Sequence, residues 1–195
     1  MLIFGAASLL GWSLVRLQRP GTVPLCEPPT RLAPCASWTR VCIDDSDAVR
    51  AVIDRFKPDL IIHCGGTRDV GTCERQPDIA WRHNVVSVAL LLDHLPATTR
   101  LVYCSSDHVF GSGRGLYHED AETRPNSHFG HTQVAAEELI RAARPDALII
   151  RSGPAIGPSL DGRGGHLDWL RYRRRCGLPM TMVADEIRSA VWADD

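Results

Sequence analysis

Leu2-Ile3-Phe4 runs directly into Gly5-Ala6-Ala7-Ser8-Leu9-Leu10-Gly11, and this apolar triplet followed by a glycine-spaced turn constrains the chain more than any other stretch. It reads as a buried first strand turning at once into a helix. The first glycine permits the tight turn and the last lets helix and strand approach closely. The start of the helix presents N–H groups and a positive dipole end that suit a pyrophosphate. Gly5, Ser8, Leu9, Leu10 and Gly11 are therefore the expected phosphate-side contacts of a dinucleotide. Ser8 stands where such turns usually carry a middle glycine, so a Cβ occupies space that backbone would otherwise share with the ligand. The same strand, turn and helix also serve plain α/β packing, and the motif alone does not separate the two uses.

Further along, apolar runs alternate with segments of helical period, the pattern of a parallel sheet covered on both faces. A doubly wound, Rossmann-like α/β fold is expected. Thr22 to Cys26 reads as the second strand, followed by a loop containing Pro28, Pro29 and Pro34. Val49, Val52, Ile53 and Phe56 recur at helical spacing, with Asp45 or Ser46 as cap and Pro58 as terminator. Strands are expected at Asp59 to Cys64, Arg100 to Ser105 and Ala147 to Arg151. Helices are expected at Ile79 to Leu95, Gly130 to Ala143 and Gly165 to Cys176, with a last short strand at Thr181 to Ala184.

With 195 residues, 44% of them hydrophobic, the chain suits one domain with a substantial core. A net charge of −1 gives no reason to expect nucleic acid or an anionic membrane as partner. Lys57 is the only lysine, and the arginines are spread over every segment. Arg171, Arg173, Arg174 and Arg175 form a run, but with no aromatic platform or second basic cluster to support it they read as a solvated helix face. There is no apolar segment long enough to span a membrane and no signal-peptide pattern at the start, so a cytoplasmic location is expected. The seven cysteines form no Cys-x-x-Cys pair; Cys42, Cys64 and Cys104 lie in apolar runs and read as small reduced core residues, not as a zinc site or disulfide framework.

Several connecting segments resemble the dTDP-4-dehydrorhamnose reductase family, a branch of the extended short-chain dehydrogenases. Pro58-Asp59-Leu60-Ile61-Ile62-His63-Cys64, with Asp69-Val70 and Cys73-Glu74, is similar to its fourth strand and following loop. Trp81-Arg82-His83-Asn84-Val85 resembles its helix with an Asn-Val pair. Val102-Tyr103-Cys104-Ser105-Ser106-Asp107-His108-Val109-Phe110 resembles the strand that carries its active-site hydroxyl. Tyr117-His118-Glu119-Asp120 and Ala147-Leu148-Ile149-Ile150-Arg151 also fit, so the resemblance covers nearly the whole chain.

The resemblance implies hydride transfer from NADP or NAD cofactors to a keto group of a nucleotide-linked sugar. A Tyr gives the proton, a Lys four residues later lowers the Tyr pKa and holds the nicotinamide ribose, and a Ser or Thr hydroxyl aligns the carbonyl. Residues at i and i+4 share one helix face, so both reach one pocket. This chain has Phe129-Gly130-His131-Thr132-Gln133 at that motif. Phe129 has no hydroxyl and Gln133 no charge, although its amide keeps the ability to hydrogen-bond a ribose. Ser106 keeps the hydroxyl position. His128 flanks Phe129 and is a substitute acid to be tested; His131 points about 200° away on a helix of 3.6 residues per turn. By the same resemblance Cys64, Gly65, Gly66, Asn84 and Gln133 line the cofactor, and Asp69, Ser106, Asp107 and Arg188 the substrate.

A carboxylate after the second strand takes the ribose 2′-OH of NAD, and an arginine there accommodates the 2′-phosphate of NADP. Glu27 suits the first role and Arg31 the second, though each reads first as an ordinary loop charge, leaving the preference open. Thr67 replaces a usual aromatic after Gly65-Gly66. Members of the family continue well past the position of Asp195, so the resemblance implies that residues 152–195 begin a substrate-binding part whose remainder is missing. The sugar-nucleotide pocket is then incomplete, and apolar surface left uncovered favours self-association. Three readings follow: a reductase with impaired acid chemistry; a noncatalytic cofactor-binding protein comparable to the regulatory beta subunit of methionine adenosyltransferase, with a partner protein; and a partial domain without ligand.

Overall fold

Five of the apolar runs, joined by the short polar segment Thr39–Arg40, become strands of one parallel sheet in the computed structural model, which describes residues 1–27, 37–113, 115–162 and 164–195. The elements follow in the order β1 (Leu2–Phe4), α1 (Leu9–Arg16), β2 (Val23–Cys26), β3 (Thr39–Arg40), α2 (Ser46–Phe56), β4 (Leu60–His63), α3 (Val70–Arg75), α4 (Pro77–Trp81), α5 (Ser87–His94), β5 (Arg100–Ser106), α6 (His128–Ala143), β6 (Leu148–Ser152), β7 (Ala155–Ile156), α7 (His166–Arg175) and β8 (Val191–Trp192). The sheet order is β3-β2-β1-β4-β5-β6, the doubly wound arrangement expected from the sequence. The order reverses beside β1, so the glycine turn and the end of β4 flank the crevice where such folds bind ligands.

Side-chain alternation divides the sheet into two faces. Leu2, Phe4, Leu25, Ile61, Leu101 and Tyr103 meet Val49, Val52 and Ile53 of α2, Val88 and Leu91 of α5, and Ala136 and Ile140 of α6 in one core. The opposite face carries Ile3, Cys64 and Cys104, and ends at β6 with Leu148 and Ile150 exposed. Asp45 is the N-cap of α2, accepting from the amides of Asp47 and Ala48, and Lys57 ends it in the left-handed region before Pro58.

Four expectations need correction. No strand forms at Thr181 to Ala184; Met182 and Val183 are exposed there. Instead β8 pairs with β7, because a strand needs a partner's ladder and the tail is tied elsewhere: Asp194 accepts from Ser13 and Arg16 of α1. Cys42 is exposed, since alternation past β3 buries its neighbours Val41 and Ile43; its thiol donates to Asp44 Oδ1 at 2.8 Å. The helix expected at Ile79 to Leu95 starts at Pro77 and is interrupted by a π-helical turn over Arg82–Val86. The helix expected from Gly130 begins two residues earlier, capped by Ser127.

Candidate functional site

At the end of β1, Gly5 has φ +73°, and a Cβ added there would lie 2.4 Å from Gly65 Cα. A Cβ on Gly11 would lie 2.3 Å from Gly5 O. Both glycines are therefore fixed by close backbone approach, and the crevice they shape is one that a dinucleotide's phosphates fit. Ser8 explains its own departure from the usual glycine: its hydroxyl caps α1, accepting from Gly11 N at 3.1 Å, and its amide bonds Gly5 O. Leu9 and Leu10 then supply the first-turn amides that the helix cannot satisfy itself. Ser8→Gly should cost only a few tenths of a kcal/mol, about what a glycine cap costs, while tightening dinucleotide binding in a fluorescence titration.

Glu27 follows β2 directly and sits at its C-terminal tip. Burial raises its pKa first, the His83 ring opposes this, and the Asp44 carboxylate adds to it. Asp44 itself pairs with Arg82 at 2.6 Å. Arg31 lies outside the described residues.

The loop after β4 is braced from α6 through one side chain. Asn84, held inward by the π-helical turn, accepts from Thr67 N at 2.7 Å and donates to Thr67 O and Thr132 Oγ1, each at 2.9 Å. Gly66 must lack a Cβ because one would fall 2.3 Å from Asn84 Oδ1. Asn84 is thus a strut that sets the Gly65–Gly66 wall.

Phe129 is buried against Cys73, Ala80 and Val70, with the His108 ring edge-on at 5.3 Å. Gln133, one turn on, is also buried, and its Oε1 accepts from the Tyr103 hydroxyl at 3.1 Å. Burial pushes the Tyr103 phenol well above its ordinary value, so it stays protonated and donating. His63 is held between the Phe4 and Tyr103 rings; burial, then the Arg68 charge, lowers it to about 4, leaving it neutral.

The two serines of β5 point apart. Ser105 donates to Glu137 Oε1 on α6 at 2.6 Å, whereas Ser106 turns toward Asp107 Oδ1 at 3.1 Å and accepts from His108 N at 3.3 Å. Ser106 is therefore the hydroxyl at the crevice end. Asp107 and Arg188, 81 residues apart, form a forked pair, with Arg188 Nε to Asp107 Oδ2 at 2.9 Å, so the structure brings these two expected substrate residues together. Asp69 is placed differently: it is the exposed N-cap of α3, bound to Thr72. His128 opens α6 and faces Glu74, donating its amide to Oε1 at 2.7 Å, with its ring Nε2 3.8 Å from Oε2. That contact ties it to α3, and His131 is exposed. The arginine run on α7 is largely exposed, with Arg173 over Trp169.

Sequence reasoning missed Arg68. Its guanidinium donates to Cys104 O at 2.9 Å and Ser105 O at 3.1 Å and lies 6.0 Å from the Phe129 ring centre. A cation thus stands beside Phe129 even though Gln133 carries none. It also missed His108, whose pKa is lowered by burial first and then by Arg188, a neutral ring at pH 7 and a poor proton donor. The signal that points to Arg68 is the absence of a lysine at 133, which asks where a compensating charge lies.

The sequence model of the family described as RmlD substrate binding domain matches residues 1–195. The probable low-salt glycan biosynthesis reductase Agl14 of Haloferax volcanii is 32% identical over 195 residues, covering 94% of this chain and 63% of its own. The methionine adenosyltransferase 2 subunit beta of Xenopus tropicalis is 35% identical over 108 residues, 55% of this chain and 32% of its own. The crystal structure of dTDP-4-dehydrorhamnose reductase from Bacillus anthracis in complex with NADP superimposes with a TM-score of 0.72 at 23% identity, covering 90% of this chain and 58% of that one. The chain thus spans less than two thirds of the length of these proteins. No helix among the described residues is long and apolar enough to cross a membrane.

Proposed function

The chain belongs to the family of the RmlD substrate binding domain, and we propose that it is a sugar-nucleotide reductase-like protein that holds NAD(P) in the Gly5–Gly65 crevice while its proton-transfer step is disabled. The observation that carries this reading is the buried pair Phe129 and Gln133, seated on α6 where the family motif has its tyrosine and lysine. A bound reduced nicotinamide would supply the hydride. Ser106 remains to orient a carbonyl oxygen, and Gln133, with Oε1 taken by Tyr103, has its amide N–H groups left for a ribose hydroxyl. What is lacking is a donor for the developing alkoxide, a loss of about 10²–10⁴-fold in rate. Residues 152–195 begin the part that would meet the sugar nucleotide, with the Asp107–Arg188 pair on its floor.

Glu27 at the tip of β2 supports NADH over NADPH, since a carboxylate there accepts a ribose 2′-OH and repels a 2′-phosphate. Titration of the tryptophan fluorescence, with Trp12 on α1 as reporter, should give NADH binding roughly tenfold tighter than NADPH, the worth of one charged hydrogen bond. Glu27→Gln should remove that difference. Absence of binding by either cofactor up to millimolar concentration defeats the reading.

The similarity to the methionine adenosyltransferase 2 subunit beta favours a second reading, a nucleotide-binding regulatory subunit. Tight cofactor binding without any turnover of keto sugar nucleotides is the outcome that selects it.

A further inference from the structure

Cys64 and Cys104 stand side by side at the C-terminal ends of β4 and β5, with their sulfurs 3.4 Å apart. The register makes this contact obligatory. His63 pairs with Tyr103, so the next residues are lateral neighbours whose side chains both leave the α6 face. Cys64 is bonded to Gly65, whose Cα packs against Gly5 with no room for a methyl group. Cys104 is held through its carbonyl by Arg68. The two thiols therefore join the β4 wall of the crevice to β5, and neither has a part in the hydride chemistry.

We propose that Cys64 and Cys104 are a reversible thiol–disulfide site that takes a low-molecular-weight disulfide as oxidant and weakens cofactor binding when closed. Its effect on the cofactor rests on the function proposed above; formation of the bond does not. Cys104 keeps 8% exposure against 1% for Cys64, so it is the entry point. The Cys64 S–H, then the Arg68 charge, holds the Cys104 thiol below its ordinary value against the opposing effect of burial. Bonding to Cys104, and then burial, pushes the Cys64 thiol up. The Cys104 thiolate attacks one sulfur of the oxidant, forming a mixed disulfide and expelling one thiolate, which takes up the Cys104 proton. Cys64, losing its proton to solvent, then attacks Cys104 Sγ and expels the second thiolate, which is protonated in turn. The protein gives up two electrons and two protons, and the oxidant becomes two thiols.

A disulfide requires the sulfurs to approach to about 2.05 Å, so both side chains must turn toward one another from their present 3.4 Å. On this proposal the new bond ties Cys64 to β5 and pulls on Gly65, which packs against Gly5 at the phosphate turn.

The test equilibrates the full chain with oxidised glutathione, blocks free thiols, digests with trypsin and identifies linked peptides by mass. The peptides carrying Cys64 and Cys104 should appear joined and lighter by two hydrogens, and dithiothreitol should separate them. NADH affinity of the oxidised protein should fall about tenfold, within the usual span of coupling between sites, and recover on reduction. Cys104→Ser should bind NADH normally and become insensitive to oxidant. The proposal is overturned if Cys64 and Cys104 stay unlinked while the exposed Cys42 and Cys176 are modified, or if the linked protein binds NADH as before. If the reduced protein binds no NADH, the functional reading fails, and the linked peptides alone decide whether the thiol site exists.

Discussion

Phe129→Tyr combined with Gln133→Lys is expected to raise turnover of a 4-keto-6-deoxy sugar nucleotide by about 10²–10⁴-fold over the unmodified chain, the contribution of a positioned general acid. The scaffold for the pair is in place. Both side chains are on the buried side of α6, and Thr132 between them is already tied to Asn84 and to Phe129 O. Arg68, 6.0 Å from the ring centre, would favour the ionised phenol of a tyrosine there and so bring its pKa toward the working range. Gln133→Lys replaces an acceptor with a cation, but the Tyr103 hydroxyl that now donates to Gln133 can rotate to accept from an ammonium. Either single change should yield much less than the pair, because a phenol without its lysine is a weak acid and a lysine without a phenol has no proton relay. Turnover is followed as loss of NADH absorbance, alongside a binding titration. Unchanged turnover in a double variant that binds cofactor normally would place the defect in the substrate part instead of at α6.

The sheet was legible because five of its six strands are apolar runs bounded by glycine, proline or charge, and each is flanked by a helix with a clear period. What was not legible is short or set by distant contacts. β3 has two residues, and β7 with β8 form a two-residue ribbon whose position depends on Asp194 reaching Ser13 and Arg16. A two-residue pattern such as Met182-Val183 looks like a strand locally but has no ladder to join. Within the proposed site, Phe129, Gln133 and Ser106 come from the resemblance alone, and alternation along β5 is what separates Ser106 from Ser105. Arg68 escaped because a lone arginine in a polar loop has no periodic or motif signature; only the fold brings it over Phe129. The role of Asn84 as a strut depends equally on a π-helical turn that no residue pattern announces. His128 begins α6 two residues before the start expected from the sequence, and only the fold brings it against Glu74.

Glu137→Ala should be the most damaging single substitution for stability, at about 3–5 kcal/mol, the cost of removing one partner from a buried ion pair. Glu137 has no exposed surface. It receives Arg151 Nη2 at 2.7 Å, Arg141 Nη2 at 2.8 Å and the Ser105 hydroxyl at 2.6 Å, so it ties α6 to β5 and β6. Alanine would leave Arg151, itself only 11% exposed in its side chain, without its carboxylate. For a domain whose whole stability is about 5–15 kcal/mol, that loss removes about a fifth or more. The sign of the pH effect follows from the same contacts. Burial pushes the carboxyl up, but the bonds from Arg151 and Ser105 and the charges of Arg151 and Arg141 outweigh it, so the folded value lies below the ordinary 4.5. A depressed carboxylate contributes its stability in full above the unfolded value and loses it as pH falls through the folded one. Urea unfolding should therefore show a decline in stability below pH 4.5 that Glu137→Gln flattens. Arg151 would still be short of a charge partner in that variant, so it should also be weaker than the unmodified protein at pH 7. A Glu137→Ala protein with an unfolding midpoint unchanged at pH 7 would mean that the arginines find water or backbone carbonyls as good as the carboxylate, and that the joint between α6 and the sheet edge is held by Ala136 and Ile140 alone.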